Sequence, residues 1–74
     1  MFHNSTTDYS AKALALNWLD FSRTEKRTLD IVGSRNTLDG VLKELCMLAP
    51  HQKRDGQKWV YSGFGWQIVI HLRS

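Results

Sequence analysis

Cys46 is the only cysteine in a chain of 74 residues, and that fact limits the fold more than any other. Domains this small are commonly stapled by disulfides or a structural metal. One thiol cannot form an internal disulfide. One Cys with three scattered histidines, His3, His51 and His71, does not supply the four closely ordered ligands of a structural zinc site either. The fold must rest on its apolar core, worth no more than about 3–5 kcal/mol at this size. A partner, or self-association into a homodimer, would add to that. The small core is thus a first pointer to a binding protein.

The material for a core is present. Hydrophobic residues make up 42% and charged residues 23%, proportions that argue against disorder and for a globular chain. One domain covering residues 1–74 is expected. The longest apolar runs, such as Ile68-Val69-Ile70, fall far short of the roughly 18 residues needed to span a bilayer, so no membrane partner is expected. Met1-Phe2-His3-Asn4-Ser5 has neither the basic nor the apolar region of a signal peptide, which points to a cytoplasmic location. Asn4-Ser5-Thr6 then fits a glycosylation sequon in spelling only.

Periodicity divides the chain. Residues 1–7 are polar and without period, and are expected to fray. Tyr9 to Phe21 is helical in pattern: Ala11, Leu14, Ala15, Trp18, Leu19 and Phe21 share one side, with Leu16 alone on the wrong one. Asp8 or Ser10 can cap it. From Arg27 to Val32, Thr28 and Asp30 alternate with Leu29 and Ile31, which favours a strand ending at Gly33. The competing reading is a helix over 24–32, with Ser22-Arg23-Thr24-Glu25 as capping box. Leu38, Val41, Leu42, Leu45 and Leu48 recur at helical spacing after a cap at Asn36 or Thr37, with Asp39 in the first turn, and Ala49-Pro50 closes the segment. Gly40 costs roughly 1 kcal/mol in a helix and so marks a close packing contact. His51 to Gln57 reads as a polar linker with a turn at Asp55-Gly56.

The C-terminal pattern is a hairpin. Trp59-Val60-Tyr61 and Trp66 to Leu72 are rich in β-branched and aromatic residues, and Ser62-Gly63-Phe64-Gly65 joins them. Trp66, Ile68, Ile70 and Leu72 point one way, Gln67, Val69 and His71 the other. The expected fold is therefore α+β, a small two-layer α-β-α-β-β domain with a C-terminal antiparallel hairpin. A winged helix, which needs the helical reading of 24–32, and a ββαββ arrangement are the alternatives.

Chemistry is sparse. Cys46, between Leu45 and Met47, has the apolar setting of an inert packing thiol, and no base is placed beside it. His71 suits a solvent-facing or hydrogen-bonded role. The carboxylates show no paired spacing for acid-base work, and the glycines of the hairpin turn precede no helix that would cradle phosphate. No enzyme and no cofactor are expected.

Binding features are better supported. The net charge is +3, and the bases cluster at Arg23-Thr24-Glu25-Lys26-Arg27 and Lys53-Arg54-Asp55-Gly56-Gln57-Lys58, each cluster diluted by an acid. The second runs straight into Trp59, Tyr61, Phe64 and Trp66, a mixture that suits single-stranded nucleic acid if the rings are exposed. The plainer reading packs Trp59, Tyr61 and Trp66 under the helices and leaves only Phe64, between two glycines, exposed. Two functions follow. The first is a small non-enzymatic regulator or inhibitor that docks on a larger protein or nucleoprotein assembly, a role that accessory factors of phages and mobile elements fill. The second is a nucleic-acid-binding module for DNA or RNA, winged-helix or single-strand. The candidate contact residues are Arg23, Lys26, Arg27, Arg35, Lys53, Arg54, Lys58 and Phe64.

Overall fold

A computed structural model describes the backbone of residues 3–73 and the side chains of residues 10–73. The elements are α1 (His3–Glu25), β1 (Leu29–Ser34), α2 (Arg35–Leu48), β2 (His51–Asp55), β3 (Lys58–Gly63) and β4 (Trp66–Arg73). The four strands form one mixed sheet in the order β1-β4-β3-β2. β1 lies parallel to β4, while β3 runs antiparallel to both β4 and β2. This is an α+β domain in two layers, and no helix among the described residues is long and apolar enough to cross a membrane.

Alternation fixes which face the helices cover. Trp59 and Tyr61 of β3, with Trp66, Ile68 and Ile70 of β4, are buried together with Leu38, Val41, Leu42 and Leu45 of α2 and Ala15 of α1. Leu29, Ile31 and Leu72 complete that face at its margins. The opposite face carries Asp30, Lys53, Lys58, Val60, Gln67, Val69 and His71 and has no helix on it. Val69 is nonetheless buried, because it sits in the middle of a row between Val60 and Asp30 on the flanking strands. His71 Nε2 lies 3.1 Å from Asp30 Oδ1 on this face, the hydrogen-bonded role expected of it.

Glycine and serine make the close contacts. A Cβ on Gly40 would stand 3.2 Å from Ala11 Cβ, so α1 and α2 cross tightly there. At Gly63 a Cβ would meet the Trp66 indole at 2.6 Å from Cε2, because that ring folds back over the hairpin end. Ser22 is fully buried at the last turns of α1. β1 begins at Leu29 opposite Ile68, so Gln67 lacks a strand neighbour on that side. The Ser22 hydroxyl takes that neighbour's place: it accepts from Gln67 N at 3.0 Å and has the carbonyls of Arg27 and Gln67 at 2.6 and 3.0 Å as acceptors. Lys26, at φ 55°, ends α1 in the left-handed conformation common at helix C-termini.

Several expectations need correction. α1 starts at His3, so residues 3–7 are helical rather than irregular, and Asp8 and Ser10 lie within the helix instead of capping it. Elongating a nucleated helix adds a hydrogen bond per residue without a new nucleation cost, which outweighs the modest penalties of Asn, Ser and Thr. Residues 1 and 2 lie outside the described residues. Leu14 and Phe21 are exposed with Leu16, since Ser22 rather than Phe21 turns toward the sheet. Residues 29–34 are a strand, which removes the first helix that the winged-helix alternative needs. The chain also opens α-β-α, not with the strand pair of a ββαββ order. α2 is capped by Ser34, whose side chain accepts from Thr37 N, so Asp39 falls beyond the first turn and pairs with Lys43 at 3.3 Å instead. The polar linker is strand β2, exposed along its whole length.

Candidate functional site

The candidate contact residues fall into three places. At one end of the molecule the β3–β4 turn meets the C-terminus of α1. Gly65, at φ 79°, closes a two-residue turn that leaves Phe64 at its tip, 96% exposed. A Cβ on Gly65 would lie 3.8 Å from Arg23 Cγ, so the Arg23 stem flanks the turn. Arg27 is drawn to the same end by its backbone bonds to Ser22, and its guanidinium stands 5.4 Å over the exposed Phe21 ring. Lys26 lies between them in the chain, solvent-facing. Arg23, Lys26, Arg27 and Phe64 are thus brought together, joined by Phe21.

Lys53 and Lys58 stand elsewhere, on the uncovered face of the sheet. Lys53 pairs across to Val60, and Lys58 pairs with Asp55 on one side and His71 on the other. Asp30 and Asp55 share this face, and it carries no Phe, Tyr or Trp.

Arg35 and Arg54 form the third place. Arg54 is the direct cross-strand partner of Trp59, and its guanidinium carbon sits 4.1 Å from the centre of that ring. Arg35, at the start of α2, lies 4.9 Å from the same ring. The indole N–H donates to Gly56 O at 3.2 Å, so the ring is anchored by its edge and covered by cations. Beside it a cavity of about 450 Å3 opens between α2 and β2, lined by the cations Arg35, Lys43 and Arg54, the carboxylates Asp39 and Glu44, and the apolar Leu42 and Met47. Cys46 also lines it and is exposed, contrary to the packed position its apolar neighbours suggest. The helix turns Leu45 inward and leaves Cys46 to β2, where its Sγ lies 3.2 Å from Gln52 Oε1 and 4.0 Å from Arg54 Nη2. Gln52 in turn donates to the Cys46 and Ala49 carbonyls, tying β2 to the end of α2.

Tyr61 stands in the floor of the sheet below this group. Its hydroxyl is buried and finds no acceptor, although the Arg54 guanidinium is close enough to donate toward it. Burial pushes the phenol pKa above its ordinary 10.0, against the opposing pull of Arg54, and Cys46 and Arg35 are near enough to act on it too. Neither Cys46 nor Tyr61 stood out as a binding residue in the sequence. The signal was the hairpin register that puts Arg54 against Trp59, and it is visible only once His51 to Asp55 is known to be a strand. No three His, Cys, Asp or Glu side chains among the described residues gather into a metal-binding group.

The fold defines a class and no more: a small α+β domain with two helices on one face of a four-stranded mixed sheet. No family model, curated protein or solved structure matches the chain.

Proposed function

We propose that the chain is a small non-enzymatic regulator or inhibitor that docks through the β3–β4 turn and the C-terminal end of α1 on a larger protein or nucleoprotein assembly. The observation that carries this reading is Phe64, 96% exposed on a turn whose neighbours are held in place. An aromatic ring displayed this way costs apolar exposure and returns nothing to the fold. It suits insertion into an apolar pocket, with Arg23, Lys26 and Arg27 meeting an acidic rim. Blocking a partner's own contact surface is the mechanism such an anchor supports.

The nucleic-acid reading has less behind it. Trp59, Tyr61 and Trp66 are buried, so the rings that would stack on bases are spent in the core. The bases are divided among three places, which favours no continuous phosphate track.

The test is photo-crosslinking from position 64 in extracts of the source cell, compared with a probe placed at Lys58. A partner crosslinked only from position 64, whose affinity for the purified chain falls by about 2 kcal/mol in Phe64→Ala, is the expected result. Equal labelling from both positions, or unchanged affinity in Phe64→Ala, would overturn it. Salt-sensitive binding of random oligonucleotides between about 50 and 200 mM salt would favour the alternative module.

A further inference from the structure

We propose that the cavity between α2 and β2 binds a small phosphomonoester of nucleotide size, its phosphoryl group held between the guanidiniums of Arg35 and Arg54. This site is built from different residues than the docking end and does not depend on it. Among the described residues neither arginine has a carboxylate within ion-pair distance, although Asp39 and Glu44 also line the cavity. Asp39 is paired with Lys43 at 3.3 Å, so of the charged lining residues Arg35, Arg54 and Glu44 are left outside an ion pair. Both guanidiniums are held by stacking on Trp59, so little side-chain freedom is lost when an anion binds the N–H groups that Cys46 and Tyr61 do not take from Arg54.

Tyr61 stands behind the same arginines. A buried hydroxyl without an acceptor is uncommon and costly, and this one lies against Arg54 and within electrostatic reach of Cys46 and Arg35, all of which line the cavity. Tyr61 itself does not line the cavity, so it would bear on a bound anion only through Arg54, whose guanidinium lies against it. The size of the ligand follows from the space. At about 450 Å3 the cavity lies within the range of small-molecule sites and is far too large for phosphate alone. Leu42 and Met47 supply an apolar wall for the remainder of the molecule. The proposal involves binding only and no bond is made or broken.

Titration of the isotope-labelled protein with adenosine 5′-monophosphate, inorganic phosphate and adenosine, at constant ionic strength, tests it by NMR. The nucleotide should shift the Arg35 and Arg54 side-chain N–H signals and the Trp59 indole N–H saturably. Inorganic phosphate should move the same signals about tenfold less tightly, and adenosine should not move them. Arg54→Gln should weaken the nucleotide about tenfold or more. Arg54→Lys, which keeps the charge but not the planar fork, should also bind more weakly than the native chain. Arg35→Gln, at an exposed position whose loss spares the core, guards against a variant that fails to fold and should also lose affinity. The proposal is overturned by shifts that do not saturate, by equal affinity for phosphate and nucleotide, by shifts centred on Arg23, Lys26 and Arg27, or by affinities unchanged in Arg54→Gln and Arg35→Gln.

Discussion

The two ends of one hairpin use aromatic residues in opposite ways. In the strands, Trp59, Tyr61 and Trp66 are buried beneath the helices, and at the turn Phe64 is almost wholly exposed. Lysine and arginine accompany both. What separates them is position alone: strand residues alternate between a covered and an open face, whereas a two-residue turn projects beyond both layers. Basic residues interleaved with aromatics are therefore no signature of a nucleic-acid surface until the face of each ring is known. Here the strand rings build the domain, and the turn ring is left free for another molecule.

The sharpest way to break this contrast is to remove core volume from the strand end. Ile68→Ala should cost about 2–5 kcal/mol, because Ile68 is fully buried in the central strand. Against a total of about 3–5 kcal/mol, that loss leaves the chain largely unfolded, which circular dichroism at room temperature will show. A native-like spectrum would mean that the core is larger than the sequence allows, or that a partner copy supports it. Ser22→Ala acts through one hydroxyl and should cost about 1–3 kcal/mol, since Gln67 N–H would be buried without its acceptor. Denaturant midpoints measure it. A loss near zero would show that the α1 end is not fastened to β4 by this contact.

How far the sequence reveals this arrangement depends on whether an element has a covered face. α2 and β4 are legible because Leu38, Val41, Leu42 and Leu45, and then Trp66, Ile68 and Ile70, write their periods in apolar residues that are in fact buried. β2 has no covered residue at all, so His51-Gln52-Lys53-Arg54-Asp55 carries no period to read. It is an edge strand protected by charge, and only its pairing with β3 makes it a strand. The Arg54–Trp59 contact was hidden for the same reason, while the exposed Phe64 needed nothing more than two flanking glycines to be foreseen. Leu14 and Phe21 are exposed because the apolar stripe of α1 is wider than the strip of helix the sheet can cover, and the buried Ser22 is illegible because nothing in its spelling distinguishes a structural hydroxyl from a cap.

Tyr61 sharpens the comparison from inside the strand region. Its phenol is held above the ordinary value of 10.0, so the folded chain keeps a proton that the unfolded chain gives up at alkaline pH. The resulting stability is fully present below about pH 10 and is lost as the pH rises toward the folded pKa. Tyr61→Phe removes that dependence. Denaturant midpoints at about pH 8 and again at about pH 10.5 should fall more for the native chain than for Tyr61→Phe, with lysine and cysteine titrations common to both. At neutral pH the substitution should change stability by less than about 1 kcal/mol, because the hydroxyl it removes has no acceptor to lose and Arg54 remains exposed to water. An identical alkaline loss in the two proteins would mean that the Tyr61 hydroxyl meets water or a donor in solution.

The smallest effect on stability is expected at Phe64, and its smallness is what makes the position informative. A ring that is 96% exposed gives up almost no buried area when truncated, so Phe64→Ala should shift stability by no more than about 0.5 kcal/mol in either direction. The turn itself should survive, because its geometry depends on Gly65 at φ 79° and on the packing of Gly63 beneath the Trp66 indole, and neither involves the Phe64 ring. Thermal unfolding of Phe64→Ala beside the native chain measures this directly. A destabilisation as large as that of Ser22→Ala would show that the ring packs against Arg23 and the end of α1 in solution. Phe64 would then belong with Trp59 and Trp66 as a residue of the fold. An unchanged midpoint, in a variant that no longer holds its partner, separates the two ends of the hairpin into one that stabilises and one that binds.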